Sequence, residues 1–321
     1  MNHTDTSLIS VILPLYNEPL NLATESIESI CTQTYKNLEI ILLLDNPQNA
    51  LLNELMTAYQ TKDPRVKCIF NEQNIGLPAT LNKGIDAANG TFIARMDGDD
   101  VSLPTRLEKQ LTFLMSHPQV DLVGCDALAI DEDGTPIGYY SKMKSNYSLK
   151  KMLEHCSTSL IHPSWFGKKE LFDRCRYRNF FRSQDYDFLL RADALGATFA
   201  NLKEPLLKYR IPQKSLRSIS CKYAYEQYVN AMLARKQFYV FKKTGKYPAL
   251  PEFNYNETDK KRYLQTVPIM NELRDCWFNH NYFRCFMLFV RIWKIDSRPL
   301  KLRIRSVILG KVLRIADLFS L

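Results

Sequence analysis

Ile93-Ala94-Arg95-Met96-Asp97-Gly98-Asp99-Asp100 is the stretch on which the fold turns. Its lead-in, Thr91 to Arg95, is mostly β-branched, aromatic or apolar and predicts a strand. Three carboxylates then fall within four positions around one glycine. Like charges this close repel unless they are solvated, protonated or share a cation. An Asp-x-Asp at a strand's end suits a hard divalent ion that keeps open sites for phosphate oxygens. Taken alone, the tetrapeptide reads first as a polar turn, since Asp and Gly are turn residues. Arg95 is a charge inside an apolar strand and needs a partner, with Asp97 or Asp99 nearest in sequence.

Upstream of this stretch lie three short apolar runs: Ser10 to Leu15, Leu38 to Leu44 and Val66 to Phe70. Between them, Asn21 to Gln33, Ala50 to Thr61 and Pro78 to Asn89 carry apolar residues at helical spacing. The last of these has Pro at its start and Asn-Gly at its end, as helices prefer. Pro104 to Ser116 repeats the helical pattern after the acid cluster. Four strand–helix alternations with short connections predict an α/β fold with a mainly parallel sheet flanked by helices. In such sheets ligands bind outside the carboxyl ends of the strands. Those ends carry Tyr16 and Glu18, then Asp45, then Asn74 and Gly76, then Asp97 and Asp99. No glycine-rich dinucleotide loop or P-loop occurs in the chain, so a bound nucleotide would need its phosphates held by a metal.

Downstream, Asp121 to Ile130 and Ile137 to Tyr140 read as strands around an Asp133-Gly134 turn, which predicts an antiparallel edge and a mixed sheet. Ser148 to His155 and Lys168 to Arg174 have helical patterns, and the segment from Cys156 to Phe166 contains His162-Pro163-Ser164-Trp165. Gln184-Asp185-Tyr186-Asp187 opens a helix that ends near Leu195-Gly196. Thr198 to Leu202 and Pro205 to Arg210 read as two short strands. Taken without context, Asp185 is a candidate helix cap.

The 321 residues are 45% hydrophobic and 24% charged, the balance of a globular protein. Eight cysteines at 31, 68, 125, 156, 175, 221, 276 and 285 form no metal-binding spacing and no disulfide framework. No leader segment and no apolar run of membrane-spanning length is visible, so the expected location is cytoplasmic. Charge is unevenly spread. From Leu216 onward there are 20 Lys and Arg against 8 Asp and Glu, a net of +12, whereas the preceding residues carry a net of −3. The expected division is therefore 1–215 and 216–321, the second part basic, aromatic and mostly helical. Two readings of it stand side by side: peripheral contact with an anionic membrane on the inner face of the cell, or a helical region packed on the first part.

With these residues in view, the chain resembles inverting family 2 glycosyltransferases of the nucleotide-diphospho-sugar transferase (GT-A) fold. Bacterial enzymes of capsule, exopolysaccharide and O-antigen synthesis are the most similar kind. The matching text is SVILPLYNEP, CTQTY, LEIILLLDNP, the long run from Asn71 to Asp100, then HPSWF, SQDYDFLLRADALG and KYR, in the family's order over about two-thirds of the chain. The resemblance implies a nucleotide-sugar donor, UDP-linked as most often in the family, and a glycan or lipid-linked acceptor. It implies Mn²⁺ or Mg²⁺ at Asp99 and Asp185 as catalytic base. Pro14, Tyr16, Glu18, Asp45, Asn74, Gly76, Lys83 and Asp97 would line the nucleotide side. Many members carry a second Asp after the one matching Asp45; here Asn46-Pro47 follows, which leaves the base open. His162 is placed on a phosphate or the acceptor, Arg210 on the diphosphate, and Arg95 with the acid cluster. Trp165 and Phe166 read as core residues before sugar-stacking ones. Two competing functions are a sugar-nucleotide pyrophosphorylase, which wants a glycine-rich loop after the first strand, and a nucleic-acid binder using the basic tail, which the acidic strand ends oppose. No nucleic acid is the expected partner.

Overall fold

The structure, a computed structural model, describes residues 7–155, 158–211, 222–250, 252–278 and 280–318. Strands β1 (Ile9–Leu15) and β2 (Leu38–Leu44) are buried at every position, because a central parallel strand is covered by helices on both faces. They pair in parallel, with β3 (Val66–Phe70) beyond β2 and β4 (Phe92–Arg95) on the other side of β1. The crossovers are α1 (Leu20–Cys31), α2 (Ala50–Lys62) and α3 (Leu77–Ala87), each at the place its periodicity predicted. Alternation along the strands divides the core. Val11, Leu13, Ile40 and Leu42 face one helical layer, while Ile12, Ile41 and Leu43 face the other.

The chain continues through β5 (Val101–Ser102), α4 (Arg106–Ser116), β6 (Leu122–Ile130), β7 (Pro136–Tyr140), α5 (Asn146–Glu154), a single 3₁₀ turn (His162–Ser164), β8 (Phe166–Lys168), α6 (Lys169–Cys175), α7 (Gln184–Ala194) and β9 (Phe199–Arg210). The sheet runs β3-β2-β1-β4-β8-β6-β9-β5, with β7 also paired to β6. Strand directions decide what meets at the ligand edge. Strand β8 is antiparallel to β4, so the residues entering it, His162 to Trp165, lie beside the carboxyl end of β4. Strand β6 is antiparallel to β8 and parallel to β9, so β9 delivers Tyr209 and Arg210 to that same edge. The fold is therefore mixed and mainly parallel, and of the strands that run against the rest, β5, β7 and β8, it is β8 that pairs with β4 beside the acid cluster.

Two details differ from expectation. The segments Thr198–Leu202 and Pro205–Arg210 are one strand. Pro205 sits where the register with β6 shifts, at Asp126, and an irregularity tolerates the missing N–H. The two-residue β5 was not visible in the sequence and exists because β9 extends far enough to pair with it. Trp165 and Phe166 are fully buried and pack as core residues.

Among the described residues four helices follow: α8 (Ala224–Thr244), α9 (Glu257–Phe278), α10 (Tyr282–Ile295) and α11 (Arg298–Leu318). Helix α8 lies on α7 and sends Ala234 and Phe238 into the second core layer. Helix α11 returns to α5, adds Leu313 to that layer, and accepts the Lys144 N–H on Asp317 at 2.6 Å. Helices α9, α10 and α11 share a small core of Ile269, Leu288, Ile292 and Leu300. The expected boundary at 215/216 lies outside the described residues, as do Cys156 and Cys221; the six described cysteines are unpaired. Among the described residues no helix is long and apolar enough to cross a membrane.

Candidate active site

The turn after β4 brings Asp97, Asp99 and Asp100 together, with one carboxylate oxygen from each lying within 4.8 Å of the other two. Gly98 makes the approach feasible: a Cβ there would lie 2.5 Å from Leu15 Cδ2 and 3.2 Å from Glu18 Cγ, so a side chain would push the loop off the end of β1. Ser26 Oγ donates to the Asp97 carbonyl at 2.7 Å. Asp100 is buried; one oxygen accepts the Arg210 N–H at 2.7 Å and the other has no partner among the described residues. Burial, then the charges of Asp97 and Glu18, push the Asp99 carboxyl up to about 7. Burial with Asp97 and Asp99 holds Asp100 well above the usual carboxylate range. Glu18 is raised as well, by burial first and by Asp97. The cluster thus holds more negative charge than its protein neighbours offset and keeps an orphaned buried oxygen. Hard carboxylates so arranged fit a divalent cation such as Mg²⁺ or Mn²⁺.

Arg95 answers part of that charge. Its guanidinium is buried and forms an ion pair with Asp97, which its position inside β4 had demanded. Its Nε and Nη1 have no hydrogen-bond partner among the described residues. Arg106, also buried, donates to the carbonyls of Pro163 at 2.7 Å and Arg95 at 3.3 Å, tying α4 to the loop before β8. Burial draws the Arg106 guanidinium down to about 10.

Asp185 stands inside the first turn of α7, whose N-cap position is Ser183, so it is not the cap itself. Burial raises its carboxyl pKa, while the N–H groups of Tyr186 and Asp185 and the charges of Arg95 and Lys142 oppose the rise. The same Arg95 that pairs with Asp97 therefore lies within electrostatic reach of Asp185, and the two acidic elements are neighbours around it. Lys142 had no sequence signal. It is placed there by the β7 hairpin, donates to the Thr158 carbonyl at 2.8 Å, and has its ammonium pKa lowered by burial. His162 bonds through Nε2 to Tyr177 Oη at 2.8 Å and stacks edge-on with Trp165. Burial and the Arg95 charge hold it well below its ordinary pKa, so it is neutral.

The ends of β1, β2 and β3 form a second hydrogen-bonded group. Asp45 accepts from Asn71 Nδ2 at 2.8 Å and from the N–H groups of Ile75 and Gly76 at 2.9 Å, which pins the loop after β3 to the end of β2. Gly76 has φ +83°, a conformation that suits glycine, and begins α3. Asn74 Oδ1 also accepts from Gly76 N, and Lys83 Nζ donates to Asn71 Oδ1 at 2.8 Å. Asn46, where relatives in the resemblance carry Asp, donates to Asn17 at 2.7 Å. Tyr16 is exposed on this edge above buried Pro14, and Glu18 accepts the Tyr16 N–H at 2.6 Å.

Arg210 is placed differently from its expected role. Its Nε donates to the Asp99 carbonyl, Nη1 to the carbonyls of Asp131 and Glu132, and Nη2 to Glu25 at 2.7 Å. With those N–H groups engaged, the guanidinium clamps the acidic loop to α1 and to the β6–β7 hairpin rather than projecting toward a diphosphate.

Residues 10–176 match glycosyl transferase family 2. An uncharacterized glycosyltransferase of Methanocaldococcus jannaschii is 40% identical over 214 residues, covering 65% of this chain and 73% of that protein. The chain belongs to glycosyl transferase family 2. Another relative is the amylovoran biosynthesis glycosyltransferase AmsE of Erwinia amylovora, 31% identical over 63% of this chain and 76% of its own length. Among solved structures, S. aureus TarS 1-349 in complex with UDP-GlcNAc aligns with a TM-score of 0.56 over 70% of this chain and 66% of that one. At 18% identity this is a likeness of fold. The family 2 match ends at Arg176, so Asp185 rests on its own geometry.

Proposed function

We propose that this family 2 enzyme transfers a sugar, with inversion, from a nucleotide-diphospho-sugar to a hydroxyl of a glycan or lipid-linked acceptor in surface polysaccharide synthesis. One observation carries the reading: a sheltered carboxylate of raised pKa, Asp185, shares Arg95 with the acid cluster at the end of β4. Asp185 takes the acceptor proton as that oxygen attacks the anomeric carbon opposite the departing diphosphate, so the C–O bond to the donor breaks as the new one forms. The proton ends on Asp185 and the nucleoside diphosphate leaves. Asp99 is the metal ligand, with Asp97 on the ribose side and Asp100 bracing the loop from below. A divalent cation bound there offsets charge building on the leaving group. Pro14, Tyr16 and Glu18 line one wall of the nucleotide pocket, with Asn74, Gly76 and Lys83 on the other. Asp45 retains lone-pair capacity for a base N–H. His162, neutral and bonded to Tyr177, supports the wall behind Arg95.

A uridine nucleotide is the first donor to test, as TarS is solved with UDP-GlcNAc and the polysaccharide role follows the named activity of AmsE. The test is a screen of UDP-, GDP- and TDP-sugars with Mn²⁺, reading nucleotide release. Release from one sugar nucleotide that stops on chelation supports the reading. Release without any divalent ion overturns the metal assignment.

A further inference from the structure

Helix α10 is buried on one side only. Leu288 and Ile292 face the small core shared with α9 and α11 and Cys285 is buried, while Tyr282, Phe283, Phe286, Met287 and Trp293 point outward, Phe283 with 79% of its surface exposed. On α11, Ile304, Val307, Ile308 and Val312 form a second exposed row at helical spacing, Ile308 being 60% exposed. Solvent-facing aromatic and branched residues in such number are unusual and mark a contact surface. The two rows are joined at a groove of about 540 Å³, floored by Trp293, Ile304, Ile308 and Val312 and edged by Lys301 and Arg305. Lys301 Nζ sits 5.1 Å over the Trp293 ring.

Charge selects what this surface meets. Between Tyr282 and Leu318 there are nine Lys and Arg against two Asp. Both acids are occupied: Asp296 is buried and pairs with Arg298, and Asp317 bonds back to Lys144 and Ser145. Among the described residues no carboxylate lies within ion-pair distance of Lys301, Arg303, Arg305, Lys311 or Arg314. An apolar face edged by unpaired cations matches the interface of a bilayer carrying anionic headgroups. There the rings enter the acyl boundary and the cations remain among the phosphates.

We propose that the outer face of α10 and α11 docks this protein on an anionic phospholipid bilayer, with headgroup phosphates seated between Lys301 and Arg305 at the groove. Exposed Trp277 at the end of α9 lies edge-on to Tyr282 and extends the same face. The chemistry of the acid cluster is not needed for the docking.

The experiment is flotation of the full chain with phosphatidylcholine vesicles and with phosphatidylcholine–phosphatidylglycerol vesicles. Flotation with the mixed vesicles alone is expected. Two variants separate the contributions, both at exposed positions: F283A/F286A/I308A and R303E/R305E/K311E. The first should lower vesicle partitioning at least tenfold. The second should lower it further, since each basic residue near an anionic surface is worth about fivefold. Unchanged thermal melts for both keep loss of folding apart from loss of contact. Wild type that stays with the unbound fraction overturns the proposal. Equal flotation on both vesicle types overturns the anionic part. A wild-type dimer that F283A/F286A/I308A makes monomeric, without any flotation, assigns the face to a second copy of the chain and overturns it as well. Nucleotide release by both variants should equal that of wild type, so failure here leaves the catalytic reading standing and the reverse also holds.

Discussion

Arg95 and Asp97 form an ion pair between a guanidinium whose side chain is 3% exposed and a carboxylate that is 32% exposed. The pair joins the two halves of the cleft, since the Arg95 charge also lowers the pKa of Asp185 against the effect of burial. Replacing Arg95 by Met removes that opposing charge. The Asp185 carboxyl should then rise further, and the acidic limb of the pH–rate profile should move to higher pH. At neutral pH kcat should fall by roughly 10–100-fold, less than the about 10²–10⁴-fold of losing general-base catalysis altogether, because the base is retained with a shifted pKa. Arg95→Lys should recover part of the shift. An acidic limb that stays in place in Arg95→Met would show that Arg95 acts on the acid cluster alone.

The acid cluster and the base should separate in binding and turnover. Asp185→Asn keeps the size and removes the proton acceptor, so transfer should fall by about 10²–10⁴-fold while Mn²⁺-dependent nucleotide binding is retained. Asp99→Asn should lose both. Isothermal titration with UDP and Mn²⁺, beside single-turnover transfer, reads the two effects. If Asp185→Asn transfers at the wild-type rate, the base lies elsewhere.

Arg210 tests whether the clamp or a phosphate contact describes that residue. Four hydrogen bonds from its guanidinium hold the carbonyls of Asp99, Asp131 and Glu132 and the carboxylate of Glu25. Arg210→Met should cost about 2–4 kcal/mol of stability, because buried carbonyls lose donors at once. Mn²⁺ affinity should fall with it, since Asp99 is no longer held. Glu25→Gln removes only the half-exposed end of the network and should cost less than 1 kcal/mol. A folded Arg210→Met of wild-type stability with a raised donor KM would instead mark a phosphate contact.

Much of this site is legible in the sequence because apolar strands alternate with amphipathic helices, and the strand ends then name themselves. Tyr16, Asp45, Gly76 and Asp97 fall where the alternation places them. The pairing of Arg95 was also readable, as a charge inside an apolar strand must find its counter-charge nearby. Contacts set by sheet direction were not. Lys142, Tyr177 and Glu25 reach the cleft from a hairpin, a loop before α7 and the predicted helix α1, and no local pattern in the sequence says that these side chains meet there. Arg210 was visible as a residue after a strand, but the four partners that define it lie 78 or more positions away. Glu39 is a carboxylate inside the buried strand β2. Burial opposes its ionisation, yet donors from Lys67, Ser10, Asn89 and Gly90 prevail and draw it down to about 2.

The raised acids make stability depend on pH in a direction opposite to that of most carboxylates. Asp99 titrates near 7 when folded and near 4 when unfolded, so between these values the folded chain holds a proton that the unfolded chain has released. Stability of the metal-free protein from this group therefore falls as pH climbs from about 4 to 7. Glu39, lowered to about 2, has its full effect above about pH 5 and adds no slope there. His162 works the other way, since its neutral folded form favours higher pH, and its contribution is common to wild type and to an Asp99 variant. The difference between wild type and Asp99→Asn thus isolates the acid cluster. In chelator-treated protein, Asp99→Asn should melt about 3–10 °C above wild type at about pH 7.5, and the gap should close toward about pH 5. Mn²⁺ should raise the wild-type melting temperature at about pH 7.5 and much less at about pH 5.5, where the proton competes for the same oxygens. A gap that persists unchanged at about pH 5, or a Mn²⁺ effect that is equal at both values, would remove Asp99 as both the titrating acid and the metal ligand.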